Sequence, residues 1–198
     1  MTDLTLLHTA KVHCATFDRL APQADLHHVV RPDWLARAQN GIDDRLAAEI
    51  AAAVKAAEAP VLCSCTTIGP VAEAAGAIRI DWPMMMQAAL IGGPVLLAYC
   101  LDSTAQPSQA LLRRAFGRSD PQLTCLQLAP HWPLFEAGQT ASFNQALAAD
   151  IEQALTQQRY GCVVLAQASM AGAAGMIQTD VPVLASPEIA TQALLPAP

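Results

Sequence analysis

The sequence predicts an α/β protein with mainly parallel sheets and a loose symmetry between its two halves. Three observations carry this reading. Short apolar runs alternate with longer amphipathic stretches, the pattern of successive βα units. Each half contains a strand that ends in a hydroxyl-bearing turn before a helix, Ser64 to Thr67 in the first and Gln167 to Ser169 in the second. Of the 198 residues 53% are hydrophobic and only 14% charged, which supplies a substantial core and excludes a disordered chain.

The first strand is read at Leu4 to Leu7 and a second at Leu26 to Val30. Asp43 to Ala57 reads as a helix, because Leu46, Ile50 and Val54 recur at fourfold spacing. Pro60 ends it and opens a strand over Val61 to Cys63. The polar turn Ser64 to Thr67 follows, then Gly69, Pro70 and a short helix over Val71 to Ala75. Arg79-Ile80 reads as a short strand and Met84 to Leu90 as a helix. A second series of units starts near Gly93, with strands at Pro94 to Leu101, Thr124 to Leu128, Cys162 to Ala166 and Pro182 to Ala185. Its helices are expected at Ser108 to Phe116, with Ser108 as N-cap, and at Phe143 to Arg159, with Gly161 as C-terminal cap. Ser186-Pro187-Glu188 opens a terminal helix. The expected division is a first lobe over 1–92, completed by 186–198, and a second lobe over 93–185.

The net charge of −6 comes with no basic stripe, so a nucleic-acid partner is not expected. The longest apolar stretch, Ala88 to Cys100, is interrupted by Gly92, Gly93 and Pro94 and is too short to span a bilayer. No membrane partner is expected, and the N-terminus lacks a signal-peptide pattern. A cytoplasmic location follows as the expectation. Six cysteines without a secretion signal read as free thiols, and no Cys/His spacing suits a zinc site.

In open α/β sheets, ligands bind at the carboxyl ends of parallel strands. Polar residues at those ends are therefore the site candidates. Cys65 stands between a buried strand and a helix start, where free N–H groups and the helix dipole favour an anion; this predicts a lowered thiol pKa. The competing reading is an inert core thiol. His8 and Thr9 end the first strand, and Ser103-Thr104 end the first strand of the second half. Gln167 and Ser169 hold the matching place after the late strand. His13, His27 and His28 read as surface or structural residues.

Across Leu7-His8-Thr9, Cys65-Thr66-Thr67 with Gly69, Asp81-Trp82-Pro83-Met84, Ser103-Thr104 with Pro107-Ser108, and Leu165 to Ala171, the sequence resembles the aspartate/glutamate racemase superfamily. That resemblance implies two Rossmann-like parallel-sheet lobes related by pseudo-twofold symmetry, with an interdomain cleft. It implies a racemase or isomerase independent of pyridoxal phosphate, with no cofactor and no metal. The partner would be a small carboxylate or amino acid, and a homodimer is a common assembly in the superfamily. Family racemases use two cysteines, because inverting a stereocentre needs an acid and a base on opposite faces. The first maps to Cys65; the second falls on Gln167, which cannot titrate. Cys162 stands at the other end of that strand, too far away at about 3.3 Å per residue. The resemblance therefore assigns Cys65 as acid/base and offers His8 as its counterpart. Thr9, Thr66, Thr67, Ser103, Thr104, Gln167 and Ser169 would bind substrate. A one-cysteine carbon–carbon lyase, like the family's decarboxylases, and a non-catalytic carboxylate-binding protein are the alternatives.

Overall fold

The structure, a computed structural model, describes residues 2–195. Residues 196–198 of the expected C-terminal segment lie outside the described residues. Two four-stranded parallel sheets form the framework. The first contains β1 (Leu4–His8), β2 (Leu26–Val30), β3 (Val61–Cys63) and β4 (Ile78–Arg79), in the order β2-β1-β3-β4. The second contains β5 (Val95–Tyr99), β6 (Leu123–Gln127), β7 (Cys162–Leu165) and β8 (Val183–Ala185), in the order β6-β5-β7-β8. The two orders are the same, so β1 corresponds to β5 and β3 to β7. Strands β1, β3 and β7 are buried throughout, as strands covered on both faces must be.

Nine α-helices are assigned among the described residues. Those of the first half are α1 (Val12–Leu20), α2 (Pro32–Ala38), α3 (Asp44–Ala56), α4 (Gly69–Ala74) and α5 (Asp81–Ile91). The rest are α6 (Asp102–Phe116), α7 (Trp132–Glu136), α8 (Thr140–Leu155) and α9 (Ser186–Leu194). Helix α3 follows the fourfold pattern: Leu46, Ile50 and Val54 are its buried residues, and the Asp43 carboxylate caps it by accepting from the Leu46 N–H at 2.7 Å. Helix α5 precedes the second sheet in sequence and packs against it, with Met84, Met85 and Ala88 beside Val95, Leu97 and Val164. Helix α9 returns to the first sheet, where Ala190 meets Leu4, Leu6 and Ile80.

Several local expectations need correction. Helix α6 begins at Asp102 rather than Ser108, so Ser103 and Thr104 are in its first turn and Pro107 is inside it. Pro107 lacks the N–H that would meet the Ser103 carbonyl but does not end the helix. Ser108 is accordingly no N-cap: it is fully buried, and its hydroxyl has no partner. Helix α8 spans 140–155, so Gly161 caps nothing. Gly161 is a close-approach residue, since a Cβ there would fall 2.1 Å from the Gly92 carbonyl oxygen. Helices α1 and α2 have no counterpart in the sequence reading.

The Asp-Trp-Pro-Met element has a structural function. Asp81 pairs with Arg79 through two bonds, Nε to Oδ1 at 3.0 Å and Nη2 to Oδ2 at 2.7 Å. Both side chains are almost wholly buried. The guanidinium also reaches the Pro107 carbonyl of α6 at 3.4 Å, tying β4 to the second half.

Candidate functional site

The carboxyl ends of β3 and β7 meet at the junction of the two sheets. Cys65 lies two residues beyond the end of β3, and Gln167 lies two residues beyond the end of β7. They occupy corresponding positions in the two halves. Both line one cavity of about 30 Å³, together with Thr9, His13, Ser64, Thr66, Thr67, Leu101, Thr104, Trp132, Phe135 and Ser169. Of the proposed site residues, Cys65, Thr9, Thr66, Thr67, Thr104, Gln167 and Ser169 come together here, whereas His8 and Ser103 are absent from the wall.

Cys65 therefore borders this cavity, although the residue is only 9% exposed and packs in a hydrophobic cluster with Leu7, Cys63 and Ile68. The expected lowering of its pKa is wrong in sign. Burial pushes the thiol up; the Thr9 hydroxyl, the Ile68 and Thr67 N–H groups and the Thr67 hydroxyl oppose this without cancelling it. The physical reason is the local helix: α4 has only six residues and begins four positions beyond the sulfur, so its dipole cannot outweigh desolvation. At neutral pH Cys65 is a thiol.

The hydroxyls expected to hold a carboxylate already have partners across the cleft. Thr66 Oγ1 donates to the Ala166 carbonyl at 2.9 Å, and Thr67 Oγ1 lies 3.1 Å from Ser103 Oγ. These bonds join the end of β3 to the second half. Gln167 Oε1 accepts from the backbone N–H groups of Cys100, at 2.6 Å, and Leu101, at 3.0 Å. Its amide is a strut at the start of α6. Ser169 differs: its hydroxyl is buried and without a partner.

His8 is fully buried and turned away from the cavity. Its Nδ1 lies 2.7 Å from Ser64 Oγ and its Nε2 lies 2.8 Å from His28 Nδ1, while His28 Nε2 lies 3.0 Å from Asp18 Oδ1. Ser64 Oγ also donates to the Leu7 carbonyl at 3.2 Å, so the run extends from Asp18 through both imidazoles to the backbone of β1. Burial, with His13 and His28 nearby, pushes His8 down to about 3. The reading of His8 as the opposite acid/base is thus corrected: both of its nitrogens are engaged, and it fixes Ser64 beside the thiol. The Cys14 sulfur lies within 4.8 Å of the facing His8 and His28 nitrogens. Each of those nitrogens is already used in the hydrogen-bonded run, so the cluster needs no ion.

The sequence reading missed His13. It lies in the first turns of α1, is 8% exposed, and lines the thiol cavity. Burial pushes it down to about 4. A signal was present: His13 and Phe17, four residues apart, share the buried face of α1.

No helix among the described residues is long and apolar enough to cross a membrane. No protein-family model matches the chain, and no curated protein matches it by sequence. Solved structures do match it in fold. Allantoin racemase from Klebsiella pneumoniae is similar over 98% of this chain and 86% of its own, with a TM-score of 0.68 and 16% identity. Glutamate racemase from Francisella tularensis, solved with D-glutamate, is similar over 98% and 79%, with a TM-score of 0.70 and 11% identity. Aspartate racemase from Picrophilus torridus is similar over 96% and 92%, with a TM-score of 0.63 and 12% identity. The chain has the two-lobed α/β fold of these racemases.

Proposed function

We propose that this protein is a member of the Asp/Glu racemase superfamily and a cofactor-independent isomerase. It moves a proton at the α-carbon of a small carboxylate or amino acid, with the Cys65 thiol as a proton-transfer group. The observation that carries this reading is the position of the sulfur, at the wall of the cavity where the ends of β3 and β7 meet. The racemase fold of the neighbours supports the same assignment.

The cavity holds about one water molecule, so a substrate enters only as the halves part. The Thr66–Ala166 and Thr67–Ser103 hydrogen bonds are the ones that must open. Their hydroxyls, once released, are donors for a carboxylate, and the Ser169 hydroxyl is a donor without a present partner. Donors aimed at the carboxylate stabilise the charge that develops when the α-proton leaves.

A second reading, a one-thiol carbon–carbon lyase, draws support from Gln167. The place that corresponds to Cys65 holds a group that neither gives nor takes a proton. Incubation in deuterated water separates the two. An isomerase places deuterium at the α-carbon of both enantiomers of aspartate, glutamate or allantoin without loss of mass otherwise. A lyase releases carbon dioxide from a substrate such as a substituted malonate and labels one face. Tight binding of these acids, seen as thermal stabilisation without either product, would contradict both readings and leave a binding protein.

A further inference from the structure

Beside the thiol cavity lies a chamber of about 360 Å³, a volume in the range of small-molecule sites. The two spaces share four wall residues: His13, Phe135, Ala168 and Ser169. The chamber contains polar groups that lack partners. Asn144 is 6% exposed and its Oδ1 is unpaired, as is the Ser169 hydroxyl. Buried polar atoms are nearly always satisfied, and neither of these has accessible surface of its own, so a ligand would pair with them only after the wall shifts.

A substrate that reaches from this chamber to Cys65 passes the shared wall of His13, Phe135, Ala168 and Ser169. Among the residues that line the thiol cavity, Cys65 and His13 are the only two that titrate. His13 also differs from His8 in its bonding. Neither His13 ring nitrogen has a hydrogen-bond partner among the described residues, whereas both His8 nitrogens are engaged. The ring is held in place by its neighbours, with Phe135 stacked at 6.4 Å and His8 at 6.0 Å between centroids.

We infer that His13 is the second proton-transfer group of the site, acting across the neck between chamber and cavity on the face of the substrate opposite Cys65. This rests on the proton-transfer function proposed above and supplies the partner that Gln167 cannot be. The step balances. The His13 imidazole takes the α-proton, so a C–H bond breaks and an N–H bond forms. The electron pair stays on the carbon, conjugated with the carboxylate. The Cys65 thiol then protonates the other face, so an S–H bond breaks and a new C–H bond forms. The enzyme is left with an imidazolium and a thiolate, which return to the resting pair when a proton passes from His13 to Cys65. Burial favours neutral groups, and it holds both residues in the protonation states this direction needs. The titratable and charged groups facing His13 are His8, Cys65, and Arg19 and Glu188 at the chamber wall.

The test uses the full chain in deuterated water with the two enantiomers of aspartate, glutamate and allantoin, followed by proton NMR and chiral chromatography. His13→Gln removes the base; His13→Phe removes it while keeping a ring against Phe135. In both variants inversion should fall by at least about 100-fold, the scale of a lost acid or base. Exchange should persist, rising with pH as the thiol ionises, for the one enantiomer whose α-proton the Cys65 thiolate removes. A merely structural His13 would slow both enantiomers together, and that result overturns the assignment. Wild-type inversion in either variant overturns it too, while leaving Cys65 standing. A wild-type protein that exchanges none of the six compounds refutes the proposed function and this role with it.

Discussion

Replacing Gln167 by Leu probes why a residue that cannot titrate stands opposite the thiol. Leu has similar bulk but offers no oxygen to the Cys100 and Leu101 N–H groups, which Gln167 holds at 2.6 and 3.0 Å. A buried donor left unsatisfied costs about 1–3 kcal/mol. The Leu101 bond is only partly buried, so water recovers some of the second loss. The expected destabilisation is about 2–4 kcal/mol. For a chain of this size each kcal/mol lowers the melting temperature by roughly 2–4 °C, which gives a drop of roughly 4–16 °C. Gln167→Glu presents an oxygen at the same reach and should recover most of the loss near neutral pH. Urea and thermal unfolding followed by circular dichroism measure both. A Gln167→Leu protein within about 0.5 kcal/mol of wild type would refute the strut, and with it the explanation for the missing second thiol.

Three further outcomes follow from the same geometry. His8 and His13, held down to about 3 and about 4, stay neutral in the folded state while the unfolded chain protonates them below its ordinary value of 6.5. Their stabilising contribution is complete above that value and is lost as pH falls toward 4. Together they should remove about 4 kcal/mol between pH 7.5 and pH 5. Urea unfolding at the two pH values should show this, with the loss roughly halved in His13→Phe; an unchanged pH dependence in that variant would count against the buried neutral imidazole. Asp81→Asn leaves the Arg79 charge buried without its bidentate partner and should cost about 3–5 kcal/mol; a cost below about 1 kcal/mol would contradict the pairing. Iodoacetamide should label the Cys65 peptide slowly at neutral pH, with a rate that climbs above the ordinary thiol value of 9.0. A rate already at its plateau by about pH 7, as for a strongly activated thiolate, would contradict the upward shift.

The central strands were legible because they are buried on both faces and so appear as unbroken apolar runs, as at Val61 to Cys63 and Cys162 to Leu165. Helix α3 was legible for the opposite reason: it is buried on one face only, and Leu46, Ile50 and Val54 mark that face. Helix α1 escaped because its buried face consists of just two residues, one of them a histidine. Pro107 concealed the start of α6, since a proline inside a helix reads locally as a boundary. The position of Cys65 followed from strand end and turn, but its protonation did not. That depends on how completely the two halves close over it, a tertiary property no local pattern encodes. The same closure decides that Thr66, Thr67 and Ser103 bond across the cleft in this state.

The claim on which the rest depends is that the Cys65 sulfur exchanges a proton with substrate carbon. Its most direct measure is deuterium uptake at the α-carbon of a turned-over acid, compared between wild type and Cys65→Ala at equal folded concentration. The account predicts that inversion falls by about 100- to 10,000-fold, the contribution of a positioned acid or base, with the melting temperature little changed and exchange without inversion kept on the face that His13 serves. Inversion with uptake into both enantiomers within tenfold of wild type would show that some other group handles the proton on that face.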